Sequence, residues 1–252
     1  MSRRRRSSAL PNPWTLLRKS SPGWTEQFLR PKEPCPLNAR PRVKSPSKVG
    51  VVDYGTGNLR SVVKAFEFLG TDARIVNKPS GMENLDALVF PGQGTFDQCI
   101  RALRDTGLDA AIIKWIQEDR PYFGICLGLQ VLFEGSEEGK NSGLHLFSGR
   151  VKRFSLPEGM KIPHMGWNGV DWKLPAQDPM LRGLVDGDQF YFVHSYHVAD
   201  EDKKLAVMKT RYGYPFTSGI SYNNCFATQF HPEKSQSKGL QIYRNFLEKI
   251  SQ

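Results

Sequence analysis

The stretch PYFGICLGLQVLF, residues 121–133, decides the fold class of this 252-residue chain. At its centre Cys126 lies between Gly124 and Gly128, with an apolar run before it and a helix-like pattern after it. This layout predicts a nucleophile elbow, a tight turn from strand to helix that exposes a reactive side chain. The two glycines leave room for the turn, and the amino end of the helix favours a thiolate at Cys126.

Cys126 is also compatible with simple burial, because most unpaired cysteines are small buried hydrophobic residues. A second stretch, CFATQFHPEKS at residues 225–235, favours a catalytic interpretation. On an extended backbone His231 and Glu233 face the same way, so the carboxylate can accept the imidazole N–H. The other ring nitrogen is then left for a thiol. Cys126, His231 and Glu233 are therefore the predicted nucleophile, base and orienting acid.

Strand and helix patterns alternate from residue 48 to the elbow. Strands are predicted at 49–53, 72–76, 86–90 and 122–125, and helices at 59–69, 96–104 and 108–117. Asn58 is in position to cap the first of these helices. The alternation predicts an α/β fold with a doubly wound, mostly parallel sheet, whose ligands bind at the carboxyl ends of the strands.

The second half of the chain has shorter strand patterns separated by turns. They are predicted at 149–154, 169–172, 190–194, 205–210, 216–222 and 226–230. Hairpins on one side of the sheet explain this pattern, so we expect antiparallel additions there. An amphipathic helix at about 239–250 closes the fold. No linker divides the region, which predicts one domain over residues 48–252.

Four further motifs carry a resemblance to a known family. They are VDYGTGN at 52–58, PGQGTF at 91–96, PHMGWN at 163–168 and FVHSY at 192–196. Together with the two stretches above, they resemble the class I (triad) glutamine amidotransferases, in particular the glutaminase subunits of imidazole glycerol phosphate synthase. The resemblance covers about residues 48–250 and implies a flavodoxin-like fold.

The resemblance also implies an activity and a partner. L-Glutamine would be hydrolysed to glutamate and ammonia through a cysteinyl thioester. The ammonia would pass to a cyclase subunit, a (β/α)8 barrel in the same heterodimer, which makes imidazole glycerol phosphate and AICAR in histidine biosynthesis. No cofactor is implied. No metal site is expected either, because the histidines lack ligand spacing.

The resemblance assigns roles to residues outside the predicted triad. Beside the elbow, the N–H groups of Gln93 and Leu127 are the expected oxyanion donors, although the Gly92 to Gly94 segment is also compatible with an ordinary glycine turn. The implied substrate contacts are Gly92, Gln130, Glu138, Ser195 and Tyr196. The implied partner interface is Asn58, Trp167, Tyr191 and Lys234, for which packing aromatics and a solvated lysine are the alternative.

The excess of positive charge lies at the beginning of the chain. Residues 1–48 hold twelve Lys or Arg against two Glu, whereas the rest holds 23 basic and 23 acidic residues. The neutral remainder argues against a nucleic-acid-binding domain. Residues 1–47 are rich in Pro, Ser and Arg and predict a disordered tail. An organelle transit peptide and a misassigned start are the alternatives.

Location follows from two absences in the sequence. No stretch approaches the roughly 20 apolar residues of a membrane span, and no secretory signal is present. Four scattered cysteines form no disulfide framework, which favours a reducing compartment. We therefore expect a cytoplasmic protein without membrane contact, or a plastid or other organelle protein if the tail is a transit peptide.

Three other functions remain open from the sequence. The first is an amidotransferase subunit of another pathway, for pyridoxal phosphate, purine or anthranilate synthesis, which the PHMGWN and FVHSY motifs disfavour. The second is a cysteine hydrolase of esterase type, in which acid and histidine are usually further apart. The third is a non-catalytic adaptor or nucleic-acid-binding protein that uses the basic tail.

Overall fold

The computed structural model describes residues 48–56, 58–175, 177–200 and 204–251. The predicted tail at 1–47 lies outside these residues, as does Gly57. Strands of the described part form one eleven-stranded sheet with helices on both of its faces. No helix within the same ranges combines the length and the apolar character needed to cross a membrane.

The described elements are numbered here in chain order. The strands are β1 (Lys48–Val52), β2 (Asp72–Val76), β3 (Ala87–Phe90), β4 (Tyr122–Ile125), β5 (Gly149–Arg153), β6 (His164–Trp172), β7 (Asp188–His194), β8 (Tyr196–Asp200), β9 (Ala206–Tyr212), β10 (Tyr214–Tyr222) and β11 (Cys225–Thr228). The helices are α1 (Leu59–Phe68), α2 (Phe96–Thr106), α3 (Leu108–Gln117), α4 (Leu127–Gln130) and α5 (Gln236–Ile250). Short 3-10 turns lie at Pro79–Met82, Pro179–Leu181 and Pro232–Lys234.

The sheet has a parallel half and an antiparallel half. Its order is β2-β1-β3-β4-β11-β10-β9-β6-β7, and the pairs from β2 to β11 are parallel. The pairs from β11 to β7 are antiparallel, and β8 joins β10 to β5. The predicted α/β class, with antiparallel additions in the second half, is confirmed.

Alternating side chains of the parallel strands supply two cores. On β4, Tyr122 packs into the core beneath α2 and α3, whereas Phe123 packs into the core beneath α1 and α5. All four residues of this strand are buried, as expected for a strand covered on both faces. Because helices cover both faces, the sheet is doubly wound, and a ligand can reach it only at the ends of its strands.

Several elements differ from the predictions, three of them clearly. The helix after the elbow is a single turn, because N–H groups of the following loop take the carbonyls of Val131 and Leu132 (2.8 Å from Leu144 N, 2.9 Å from Leu146 N). Strand β8 was not predicted, and β6 begins at His164 rather than at Gly169. The differences in β8 and β6 both depend on pairing partners that are distant in the sequence.

Candidate active site

Cys126 lies on a sharp turn directly after β4. Its backbone angles are φ 52° and ψ −99°, a conformation that side-chain-bearing residues rarely adopt. A Cβ on Gly124 would collide with the carbonyl of Gly128, and one on Gly128 would collide with the carbonyl of Phe90. The predicted elbow is therefore present, and the two glycines permit it for the steric reason that the sequence suggests. The Cys126 N–H donates to the Thr228 carbonyl at 2.7 Å.

His231 and Glu233 follow the neighbouring parallel strand. Strand β11 pairs with β4 so that Thr228 lies opposite Ile125, which brings the residues after both strands together. The His231 Nδ1 lies 2.7 Å from the Glu233 Oε1, and each side chain is only 2% exposed. Since Nδ1 is engaged, Nε2 is the nitrogen left for the hydrogen bond with Cys126.

The protonation of His231 results from opposing effects. Burial alone would lower the pKa of the imidazole, but the charge of Cys126, the hydrogen bond to it and the Glu233 carboxylate outweigh burial and raise that pKa to about 10. The site therefore favours an imidazolium that faces sulfur. One oxygen of the carboxylate, Oε2 of Glu233, is buried without a hydrogen-bond partner among the described residues.

A pocket of about 410 Å³ opens above the sulfur. Its volume lies within the usual range for small-molecule sites. Eight residues that the sequence assigned to catalysis or substrate binding line it beside Cys126: Gly92, Gln93, Leu127, Gln130, Glu138, Ser195, Tyr196 and His231. Lys234, which was expected at the partner interface, lines it as well. The structure therefore brings the predicted nucleophile and the predicted substrate contacts to one cavity.

The N–H groups of the two expected oxyanion donors differ in whether they are already hydrogen-bonded. No carbonyl among the described residues accepts the N–H of Leu127. The N–H of Gln93 instead donates to the Tyr54 hydroxyl at 2.9 Å, and that hydroxyl donates to the Gln93 carbonyl at 2.7 Å. Thr56 Oγ1 donates to the same carbonyl at 2.9 Å. The N–H of the second expected donor is thus bonded to a tyrosine that the sequence did not single out.

Two polar side chains of the pocket wall also bind protein groups. The Gln130 amide donates to the Tyr196 carbonyl at 3.0 Å and to Oε1 of Gln229 at 3.1 Å. The Glu138 carboxylate accepts the N–H of Phe96 at 2.8 Å, at the amino end of α2. Gln229 is a further residue that sequence reasoning missed, although it stands within the quoted 225–235 stretch.

Three of the four expected interface residues lie together. The rings of Trp167 and Tyr191 are 6.1 Å apart on β6 and β7, and the Lys234 ammonium lies 5.8 Å from the Tyr191 ring. Trp167 is 47% exposed and its neighbour on the same face, Met165, 65%. Asn58 directly precedes α1, and its side chain accepts a hydrogen bond from the Ser61 hydroxyl at 2.8 Å, so it makes no side-chain cap bond to a backbone N–H.

A pair of buried histidines, His164 and His194, lies beside the pocket, and His194 helps to line it. His164 Nδ1 and His194 Nε2 are 3.1 Å apart, and His194 Nδ1 lies 2.8 Å from the Tyr196 carbonyl. Burial lowers the pKa of His164 to about 4 and that of His194 well below its usual range. Both rings are therefore neutral at physiological pH. No group of three or more metal-ligating side chains occurs within the described ranges.

Comparison with known proteins places this geometry in context. The model of the family described as glutamine amidotransferase class-I matches residues 50–250. An imidazole glycerol phosphate synthase subunit HisH from Caldanaerobacter subterraneus subsp. tengcongensis is 46% identical over 203 residues, covering 80% of this chain and 98% of that protein. The subunit of the same name from Syntrophotalea carbinolica is also 46% identical, over 202 residues that cover 78% and 97% of the two chains.

Solved structures resemble the chain in fold alone. PurLQS from Thermotoga maritima is similar with a TM-score of 0.66 at 18% sequence identity, covering 82% of this chain and 100% of that one. At this identity the likeness carries information about architecture and none about substrate.

Proposed function

This chain belongs to the class-I glutamine amidotransferase family, and from that premise we propose that it is the glutaminase subunit of an imidazole glycerol phosphate synthase. The observation that carries the proposal is the juxtaposition of Cys126 with the His231–Glu233 pair at one pocket. The substrate is L-glutamine, and the product ammonia serves a cyclase subunit in histidine biosynthesis.

The reaction follows from the groups around the sulfur. The Cys126 thiolate attacks the carboxamide carbon of glutamine, and the oxyanion is held by the N–H of Leu127 and, once it is free, that of Gln93. The His231 imidazolium gives its proton to the departing ammonia, which leaves a thioester. His231 then takes a proton from water, whose oxygen attacks the thioester, and this restores the imidazolium. The carbon–sulfur bond breaks, the sulfur regains its negative charge, and glutamate leaves after its new carboxyl group loses a proton to solvent.

The release of ammonia explains why a partner is needed. Only the unprotonated molecule is nucleophilic, so an enclosed path to a second active site prevents its loss to water. We propose that this partner is a (β/α)8-barrel cyclase and that it docks on the face formed by Trp167, Tyr191 and Lys234. Two large apolar side chains on that face, Met165 and Trp167, are exposed, which supports docking there.

The pocket also supports a switch in the glutaminase. While the Gln93 N–H is bonded to Tyr54, the site has one of its two oxyanion donors, and the loss of one donor costs about 10²–10³ in rate. We propose that docking of the cyclase rotates the Gln93 peptide toward the pocket. The isolated chain is then a poor glutaminase that its partner activates.

The proposed function is tested with the Cys126→Ala variant in the complex with its cyclase. Glutamine-dependent synthesis should disappear, whereas synthesis from added ammonium salt should persist, because Cys126 acts only on glutamine. Cys225→Ala, which removes a buried thiol from the same sheet, is the matched control and should keep both activities. Glutamine hydrolysis near the wild-type rate in the Cys126→Ala complex would refute the assignment.

A further inference from the structure

Gln229 is a fully buried polar residue beside the nucleophile. It directly follows β11, and the register of that strand with β4 brings it next to Cys126. Its backbone N–H donates to the Ser218 carbonyl at 2.8 Å, which fixes the main chain. A buried amide is retained only where its polar atoms find partners, so the direction in which this side chain points is informative.

The side chain of Gln229 joins two residues of the pocket. Its Nε2 lies 3.5 Å from the Cys126 Sγ, within hydrogen-bond range for sulfur. The Oε1 of Gln229 accepts a hydrogen bond from the Nε2 of Gln130 at 3.1 Å. This nitrogen of Gln130 also donates to the Tyr196 carbonyl at 3.0 Å. One continuous line of hydrogen bonds therefore runs from a backbone carbonyl to the sulfur.

The direction of this line is fixed by chemistry. A backbone carbonyl can only accept, so the atom of Gln130 that faces Tyr196 is the nitrogen. The atom of Gln229 that receives the second proton of that nitrogen must be its oxygen. The nitrogen of Gln229 then necessarily faces Cys126. Reversal of either amide would set two acceptors or two donors against each other.

The same bonds decide what Gln130 offers to a ligand. Both protons of its amide nitrogen are used, on Tyr196 and Gln229. Its Oε1 has no partner among the described residues, is not sealed from solvent, and belongs to a side chain that lines the pocket. Gln130 therefore presents an acceptor, which attracts an N–H group and repels a carboxylate oxygen.

We propose that Gln229 is a positioning residue of the amide hydrolysis, which donates an N–H to the Cys126 sulfur and holds the Gln130 oxygen toward the substrate. The inference rests on the proposed glutaminase function. The N–H stabilises a thiolate more than a thiol, because hydrogen bonds to charged groups are the stronger ones. The acceptor on Gln130 favours glutamine, which carries N–H groups, over the product glutamate, whose side chain carries none.

The test compares Gln229→Met with Gln117→Met in the full-length chain. Methionine keeps the length of the side chain but has no N–H, and Gln117 is exposed at the end of α3. The first readout is the rate at which iodoacetamide alkylates Cys126 as a function of pH, followed by mass spectrometry of the peptide that contains it. The ionisable groups that interact with Cys126 include His231 and Tyr54, and both remain in the variant.

For Gln229→Met, we expect the inflection of the alkylation profile to move up by about one pH unit, with alkylation about tenfold slower below it. In the complex with the cyclase, kcat for glutamine should fall about tenfold, and glutamate should become a better inhibitor relative to the KM for glutamine. Gln117→Met should match the wild-type protein in every readout.

Each outcome bears on the inference. A Gln229→Met chain that melts like the wild type but keeps its alkylation profile overturns the N–H donation to sulfur. An unchanged ratio of glutamate inhibition to glutamine KM overturns the role in orienting Gln130. If Gln229→Met does not melt cooperatively, the same measurements are made on Gln229→Leu. A folded Gln229→Leu chain with the wild-type alkylation profile likewise overturns the N–H donation to sulfur. A wild-type complex without glutaminase activity refutes the proposed function, whereas the alkylation profile still tests the contact with sulfur.

Discussion

At the scale of single residues, Cys126, the proposed nucleophile, has a strained backbone. A positive φ on a residue with a side chain costs about 1–3 kcal/mol, and such a cost persists only where the surroundings enforce it. Here the enforcing contacts are the 2.7 Å bond from Cys126 N–H to the Thr228 carbonyl and the 2.7 Å bond from the Tyr122 hydroxyl to the Gly128 carbonyl. The elbow therefore holds the sulfur in place before any substrate arrives.

The Glu233→Gln variant tests the pairing with His231. An amide nitrogen at that position would face the N–H of the ring and favour the wrong tautomer, so kcat for glutamine should fall about hundredfold or more. Because the carboxylate helps to raise the pKa of His231 to about 10, its removal should also shift the alkaline limb of the pH–rate profile to lower pH. A profile with an unmoved alkaline limb would contradict this role. The exposed Glu158→Gln is the control.

The sequence predicts some of these residues and not others for a physical reason. The orientation of His231 and Glu233 depends only on their i, i+2 spacing, and the elbow depends on glycines within two residues of Cys126. Tyr54 contacts Gln93 across 39 positions, and Gln229 contacts Cys126 across 103. Such contacts arise from strand order, which local patterns do not encode.

At the scale of elements, two neighbouring turns hold each other. Tyr54 is buried, stacks on Phe90 with ring centroids 5.4 Å apart, and bonds both polar backbone groups of Gln93. The turn after β1 thus fixes the turn after β3. Gly94 has a φ of 99° and only loose neighbours, whereas a Cβ on Gly92 would collide with Leu127 in the elbow. The proposed rotation of the Gln93 peptide therefore requires that the backbone turn at Gly94 and that the hydrogen bonds to the Tyr54 hydroxyl break.

The Tyr54→Phe variant should release the Gln93 N–H. The ring and its stacking remain, so the turn keeps its packing and loses only the hydroxyl bonds. We expect glutaminase activity of the isolated chain to rise several-fold and its activation by the cyclase to shrink accordingly. The measurement is glutamine hydrolysis with and without the cyclase, with the exposed Tyr222→Phe as control. Basal activity that stays flat or falls would argue against Tyr54 as the restraint.

The buried histidines of β6 and β7 make stability depend on pH. Because the pKa of His164 is depressed to about 4 from an unfolded value near 6.5, the unfolded chain takes up the proton first as pH falls. The contribution of neutral His164 to the free energy of unfolding is present in full above pH 6.5 and is lost progressively between pH 6.5 and pH 4. The direction is the same for His194. Each histidine changes the free energy of unfolding by at most about 1.4 kcal/mol per pH unit.

His164→Gln should therefore weaken this dependence. Urea unfolding at pH 7.5 and pH 5.0 should show a smaller difference in the free energy of unfolding between the two conditions than in the wild-type protein. The exposed His145→Asn serves as control and should retain the full difference. An equal pH dependence in the His164 variant would show that this ring is not a source of the acid sensitivity.

The parallel half of the sheet was the more predictable half. Strands 72–76 and 122–125 and helix 108–117 have the predicted bounds, because each is a short apolar or amphipathic unit between turn signals. In the antiparallel half, β6 continues back to His164 because that residue pairs with His194 on β7. Strand β8 likewise owes its five residues to pairing with β5. Long-range pairing, rather than propensity, sets these bounds.

At the scale of the whole molecule, the net positive charge lies outside the part of the chain that matches the family. The family match spans residues 50–250, and a relative aligns over 98% of its own length with 203 residues of this chain. The net charge of +10 comes entirely from residues 1–48, since the remaining acidic and basic residues balance. We propose that residues 48–252 are the amidotransferase domain and that residues 1–47 take no part in its folding or its catalysis.

Removal of residues 1–47 tests this division. The described residues by themselves form apolar clusters beneath both faces of the sheet, so we expect the truncated chain to keep its thermal midpoint and its glutaminase activity in the cyclase complex. Its isoelectric point should fall from about 9.5 toward neutrality. Retention on an RNA or heparin column at low salt should be lost when residues 1–47 are removed, because such binding depends on clustered positive charge. Loss of several degrees in the thermal midpoint would mean that the tail packs on the domain. Undiminished RNA retention would mean that a basic surface exists elsewhere.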